Sequence, residues 1–284
     1  MLKFRLLTIV AASLLGLSAA RAQDASEWNA ETHTAARLIA GALAKTSNAT
    51  FLRAGIEIKL DTGWKTYWRD PGDSGVPPTF DFSGSENVKA VTVLWPAPAR
   101  FPDGAGGNSI GYLEHVVLPL RVAPLDATKR TSLKLKLGYD VCGNMCVPVD
   151  ADLKLPLTGD GAEESAIEKA EVRVPRHLAL GEGKERGLAV LAVHREPGGA
   201  HERVVVDVAA PAGAAIDLFV EGPTPEWSLP LPEPVAGSVG GNGSTRQFSF
   251  ELDGLPPDAS SKGAMLTFTA VSADDAIEVP AHLD

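Results

Sequence analysis

The chain has 284 residues, 44% of them hydrophobic and 22% charged, which is too apolar for a disordered polypeptide and long enough for one to two domains. Its 36 acidic against 26 basic side chains leave a formal charge of −10, and with no basic stripe to track phosphates, nucleic acid is excluded as a partner. The 28 Gly and 21 Pro favour many turns over long helices.

Lys3 and Arg5 precede an apolar run over residues 6–17, and Ser18-Ala19-Ala20-Arg21-Ala22 supplies small residues at Ala-x-Ala spacing. These are the three parts of a secretory signal peptide. The run is shorter than the roughly 20 residues that cross a bilayer, so residues 1–22 are expected to be cleaved. No later segment is apolar enough to span a membrane, and the mature chain is expected in an oxidising compartment where two cysteines can pair.

Residues 31–45, with Ala35, Ala36, Leu38, Ile39 and Leu43, read as a short amphipathic helix or a lead-in arm. Alternation then takes over at Ile56, Ile58 and Leu60, through 116–122, and at Leu133, Leu135 and Leu137, where Lys134 and Lys136 intervene. Period two with one apolar face predicts half-buried strands. Residues 70–78 and 102–107 are rich in Pro and Gly and read as loops. From Gly159 the chain turns polar and predicts a linker with one short helix ending before Pro175. Strands resume at 188–193, 203–208, 215–220, 247–252 and 264–271. The expected fold is all-β, two immunoglobulin-like sandwiches over residues 23–158 and 187–284, joined by a linker at 159–186.

The chain's two cysteines, Cys142 and Cys146, flank Gly143-Asn144-Met145. On the arm before them the apolar residues are odd-numbered, and after them Val147, Val149, Ala151, Leu153 and Leu155 are odd again. Both cysteines therefore fall on the polar face, pointing away from the core. The three residues between them make a hairpin turn, which brings facing Cβ atoms within disulfide range. Three uses remain open for this pair. A structural staple is one, although closing a five-residue ring is worth only about 2 kcal/mol in the chain-entropy model, against roughly 4.7 for a 100-residue loop. A redox dithiol is the second, since a short exposed ring is accessible to exchange. The third is a Cu(I) site built from the soft ligands Cys142, Met145 and Cys146, with His115 as an addition. No cation lies beside the cysteines in sequence, and Asp140 and Asp150 would raise a thiol pKa.

Other chemistries lack their residues. His33, His115, His177, His194, His201 and His282 show no metalloprotease spacing, and neither a Gly-x-Ser-x-Gly elbow nor a phosphate-cradling Gly-Lys-Ser/Thr loop occurs.

Several stretches between Ala35 and Leu157 resemble one family. They are Gly63-Trp64-Lys65-Thr66-Tyr67-Trp68-Arg69, Pro71-Gly72-Asp73-Ser74-Gly75, the stretch from Trp95 to Phe101 leading into Asp103, Ile110-Gly111-Tyr112 before Val117-Leu118-Pro119-Leu120, and Tyr139-x-x-Cys142 through Cys146-x-Pro148. Together they resemble the N-terminal periplasmic domain of the DsbD thiol:disulfide interchange family, ScsB-like relatives included. The resemblance implies a periplasmic immunoglobulin-like sandwich that relays electrons through Cys142 and Cys146 without a cofactor. Its implied donor is a DsbD- or CcdA-like membrane reductase or a thioredoxin-like protein. The implied acceptor is a periplasmic thiol protein such as a disulfide isomerase, a cytochrome c maturation protein or a copper-stress protein. It further implies a cap loop from Asp103 to Ser109 and an aromatic platform of Trp64, Tyr67 and Trp68, with Tyr139 and Asp140 on the supporting arm. This chain departs from the pattern in having three residues between its cysteines rather than five, and Ala105, Gly106 and Gly107 where an aromatic shield belongs. With no thioredoxin-like Cys-x-x-Cys here, the donor is expected to be a separate protein.

Overall fold

The computed structural model describes residues 24–45, 50–199, 201–238 and 244–284; the expected signal peptide lies outside the described residues. The elements run β1 (Asn29–Glu31), β2 (Thr34–Lys45), β3 (Thr50–Leu60), β4 (Lys65–Gly72), β5 (Thr79–Asp81), β6 (Val88–Val93), β7 (Ala99–Pro102), β8 (Asn108–Leu113), β9 (His115–Pro124), β10 (Thr131–Cys142) and β11 (Cys146–Leu157). A helix α1 (Glu164–Val172) follows. Beyond it come β12 (Arg176–His177), β13 (Ala189–Glu196), β14 (Arg203–Ala209), β15 (Ile216–Glu221), β16 (Glu233–Pro234), β17 (Thr245–Glu251), β18 (Ala264–Ser272) and β19 (Ala276–Leu283). The protein is all-β and immunoglobulin-like.

Four sheets form two stacks. The first stack faces β1-β2-β3-β9-β6 with β11-β10-β4-β8-β7, β5 pairing on β10. Its core is made by the odd-numbered residues of β10 and β11, such as Leu133, Leu135, Leu153 and Leu155, against Ile56, Leu118 and Leu120 from the opposite sheet. The second stack faces β12-β19-β18-β15 with β13-β14-β17-β16 around Val204, Val206, Phe248, Phe268, Ile277 and Val279. In each case one apolar face per strand has found a second sheet to cover it.

The structure corrects the expected helix or arm at 31–45. That stretch is β2, paired antiparallel with β3 from Thr34↔Leu60 to Lys45↔Thr50. Ala36, Leu38 and Ala40 face the sandwich core, whereas Ile39 on the other face packs against Ile167 of α1 and Val117. A strand buried on both sides loses its period-two signature, because its outward positions must be apolar too. Ion pairs hold α1 there: Arg53 reaches Glu164 and Glu171, the latter at 2.6 Å, and Arg37 reaches Glu163 at 3.1 Å.

The two stacks touch where Trp68 of β4 meets Phe219 of β15, ring centroids 6.0 Å apart. Arg69 and Arg100 bridge the same junction to carboxylates of the second stack.

Alternation along β10 makes a direct prediction. Leu135→Ala, at a position with no exposure, should cost about 2–5 kcal/mol in urea unfolding, and Lys136→Ala next to it should stay within about 0.5 kcal/mol. Equal losses at both sites would contradict the assigned faces.

Candidate functional site

Pairing of β10 with β11 runs without a break from Thr131↔Leu157 to Cys142↔Cys146. The cysteines are thus the last rung of the hairpin. The Gly143 N–H closes the turn on the Met145 carbonyl at 3.1 Å, and a disulfide joins the two sulfurs across a Cα–Cα distance of 4.1 Å. Gly143 has a steric reason to be glycine, since a Cβ there would lie 2.9 Å from the Trp64 ring. Trp64, itself stacked on His33 at 3.8 Å between centroids, therefore packs against the turn.

The two sulfurs do not share one environment. Cys146 is exposed, but Cys142 is only 2% exposed, which corrects the expectation that both look freely outward. The alternation argument placed Cys142 on the correct face of β10. That face is not open at this end, because β4 lies alongside with Val141↔Thr66 and Cys142↔Lys65 in register. Tyr67, two positions past Lys65 on the same face of β4, reaches diagonally across and donates its hydroxyl to Cys142 Sγ at 2.9 Å. Its oxygen is 3.5 Å from Cys146 Sγ. Burial pushes the Tyr67 phenol pKa up, opposed by a hydrogen bond with Ser109 and reinforced by the carboxylates of Asp140 and Asp103. The phenol therefore stays protonated and keeps its role as donor.

Two loops hold the Tyr67 ring in place. Gly75, at φ +115°, lies so close that a Cβ would overlap the ring. Its neighbour Ser74 bonds Ser109 at 3.1 Å, and Asp73 accepts the Asn108 N–H at 2.8 Å. Asp103 folds the second loop by accepting the N–H groups of Ala105 and Gly107 at 2.8 and 2.9 Å, and these bonds hold its carboxyl below the usual carboxylate range, Ala105 first. At the stem of the first loop Asp70 accepts the Gly72 N–H at 3.1 Å, and burial pushes its carboxyl up to about 6. The segment from Asp103 to Ser109 thus braces the loop that braces Tyr67.

Other residues singled out in the sequence lie elsewhere. Trp68 points to the opposite side of β4 and is fully buried in the core. Tyr139 is a core residue whose hydroxyl bonds Thr34 Oγ1 at 3.0 Å. Asp140 shares the outer face with Cys142, and its backbone carbonyl accepts the Thr66 hydroxyl at 2.9 Å. Met145 is 68% exposed at the tip. His115 belongs to the opposite sheet, where it bonds Glu57 at 3.0 Å. Sequence reasoning missed Lys65, the cation directly across from Cys142, because the two are close only through strand pairing. The shared parity of Lys65 and Tyr67 in Trp64-Lys65-Thr66-Tyr67 was the available signal.

Comparison with known proteins supports this picture. Residues 36–158, less than half of the chain, match a family model described as "Thiol:disulfide interchange protein DsbD, N-terminal", the same segment and family that the landmarks resemble. Among solved structures, the crystal structure of the N-terminal periplasmic domain of ScsB from Proteus mirabilis matches with a TM-score of 0.69 at 22% identity, covering 92% of this chain and 98% of that one. That likeness establishes a common fold extending through both stacks. No curated protein matches the chain. Among the described residues no helix is long and apolar enough to cross a membrane.

The close seat of Tyr67 makes Gly75 a sensitive position. Gly75→Ala should displace the ring and uncover Cys142. Alkylation of the reduced protein at alkaline pH should then modify Cys142 about as fast as Cys146, whereas the wild type should protect it. Continued protection in Gly75→Ala would show that Tyr67 is not the cover.

Proposed function

We propose that the protein is a periplasmic thiol:disulfide relay whose reactive pair is Cys142–Cys146. The observation that carries this reading is the asymmetry of the disulfide: one sulfur is open to a partner and the other is sealed under a hydroxyl donor. The match over residues 36–158 to the interchange family supports the same chemistry, and likeness to a periplasmic domain supports the compartment. The reading includes a redox sandwich over 23–158, a linker at 159–186 and a second sandwich over 187–284 with its own core.

The geometry supports the following exchange. A partner thiolate attacks Cys146 Sγ, forming a partner–Cys146 disulfide and breaking the Cys142–Cys146 bond. Cys142 leaves with the bonding electron pair, and the Tyr67 hydroxyl donates to the resulting thiolate. A hydrogen bond to a charged acceptor is worth about 1.5–3 kcal/mol, which lowers the thiol pKa of the leaving sulfur and so speeds its departure. A second partner thiolate then attacks its own sulfur in the mixed disulfide, closing the partner's disulfide and releasing Cys146. Two electrons have passed to the pair, and both sulfurs take protons from solvent. The same steps in reverse reduce an acceptor disulfide. A membrane reductase of the DsbD or CcdA kind, or a thioredoxin-like protein, fits the donor role, and a periplasmic isomerase, cytochrome c maturation protein or copper-stress protein fits the acceptor role.

Trapping tests this reading. Cys142→Ser leaves the exposed Cys146 thiol and should accumulate mixed disulfides with partners in the periplasm. Cys146→Ser leaves only the covered sulfur and should capture far fewer. Absence of any adduct in Cys142→Ser, with the variant folded, would overturn the relay.

A further inference from the structure

We propose that the second stack is a working part of the redox site, with Asp217 and Glu221 of β15 and Glu278 of β19 acting as positioning residues that fix the Tyr67 cover over Cys142. The proposal rests on the relay reading for the role of the pair and goes beyond it in assigning a task to the second stack.

The cover grows from two strands of the first stack. β4 carries Tyr67 and runs into the loop with Gly75, and β7 runs into the loop closed by Asp103. Both strands flank β8. Between Tyr67 and Gly72 the pairing of β4 with β8 is interrupted, so the ladder does not hold residues 68–71. Contacts from the second stack take over there. Arg69 makes a bidentate pair with Glu221, at 2.8 and 2.7 Å, and also bonds Glu278. Its guanidinium lies over the Trp68 ring at 4.4 Å, and Trp68 packs on Phe219. On the other flank Arg100 of β7 pairs with Asp217 at 2.8 and 3.2 Å, with Glu233 at 2.5 Å, and donates to the carbonyls of Leu218 and Pro232.

One strand, β15, is therefore gripped by an arginine from each stem of the cover. Bidentate arginine–carboxylate pairs fix orientation as well as distance, and these are half-buried, with side-chain exposures of 27% and 21% for Arg69 and Glu221. Arg69 stands two residues after Tyr67, and a strand advances about 3.3 Å per residue. A shift of β4 at Arg69 is thus carried directly to the hydroxyl on Cys142. The Arg195–Glu202 ion pair, by contrast, lies within the second stack and gives no such coupling.

The test is alkylation of Cys142 in the reduced full-length protein at alkaline pH, mapped by mass spectrometry. Glu221→Gln combined with Glu278→Gln should raise the Cys142 rate about tenfold, and Glu221→Asp should recover part of the protection. In a Tyr67→Ala background, where the cover is already gone, the same pair of substitutions should add nothing. Arg195→Gln, a control remote from β15, should leave the rate unchanged. Should the double variant prove unfolded, Asp217→Asn offers a milder break on the other flank with the same expected direction. An unaltered Cys142 rate in folded clamp variants would overturn the proposal, as would an equal rise in Arg195→Gln. The assay needs no partner, so a failed trapping experiment with a shifted alkylation rate would sink the relay and leave the clamp standing.

Discussion

In the proposed relay, a single hydrogen bond, from the Tyr67 hydroxyl to Cys142 Sγ, gives the cysteine hairpin its chemical direction. Without it the two sulfurs would be near-equivalent ends of a small exposed ring. With it, one sulfur has a donor waiting to receive the charge of a leaving thiolate and the other faces solvent. The bond exists only because β4 lies beside β10 in a particular register, one that sets Lys65 opposite Cys142 and sends Tyr67 across the diagonal. A slip of one residue would turn Tyr67 into the core and bring Trp68 or Thr66 outward.

Register of this kind is held by apolar burial. Long strand pairing between β10 and β11, with odd-numbered side chains buried in the core or, at Val147, packed against it, leaves the hairpin tip no freedom to shift. The tip itself contributes little to stability, as a five-residue ring constrains the unfolded chain only weakly. Stability and reactivity are thus separated along one hairpin: the sheet-packed length supplies the first, and its terminal rung is left for the second. The loops around Gly75 and Asp103 add a layer behind Tyr67, and the arginine contacts to β15 tie that layer to the rest of the molecule.

Much of this was legible in the sequence. Odd-numbered apolar residues through 133–155 set the hairpin and the pairing of the cysteines, and the all-β fold followed from repeated alternation with Pro- and Gly-rich punctuation. Strand β2 was not legible, because α1 covers its outer face around Ile39 and so removes the polar half of the pattern. β19 was hidden by Pro280, which reads as a strand breaker. β12 pairs with β19 only at Ile277 and Glu278, so at Pro280 β19 is an edge strand, where proline is tolerated. At the site, the Trp64-to-Arg69 motif announced aromatic residues but not their division of labour. Tyr67 and Trp68 look alike in composition, and only strand parity sends one to the sulfur and the other to Phe219. The cover of Cys142, its opposition to Lys65 and the grip of β15 all depend on residues far apart in the chain, and no local pattern encodes them.

The central claim is that the disulfide has one attackable end. Mixing the oxidised wild-type protein with a limiting amount of glutathione, quenching with acid and locating the adduct by peptide mapping tests it directly. The account predicts glutathione on Cys146 and a free thiol at Cys142. Adducts divided evenly between the two sulfurs, or concentrated on Cys142, would contradict it.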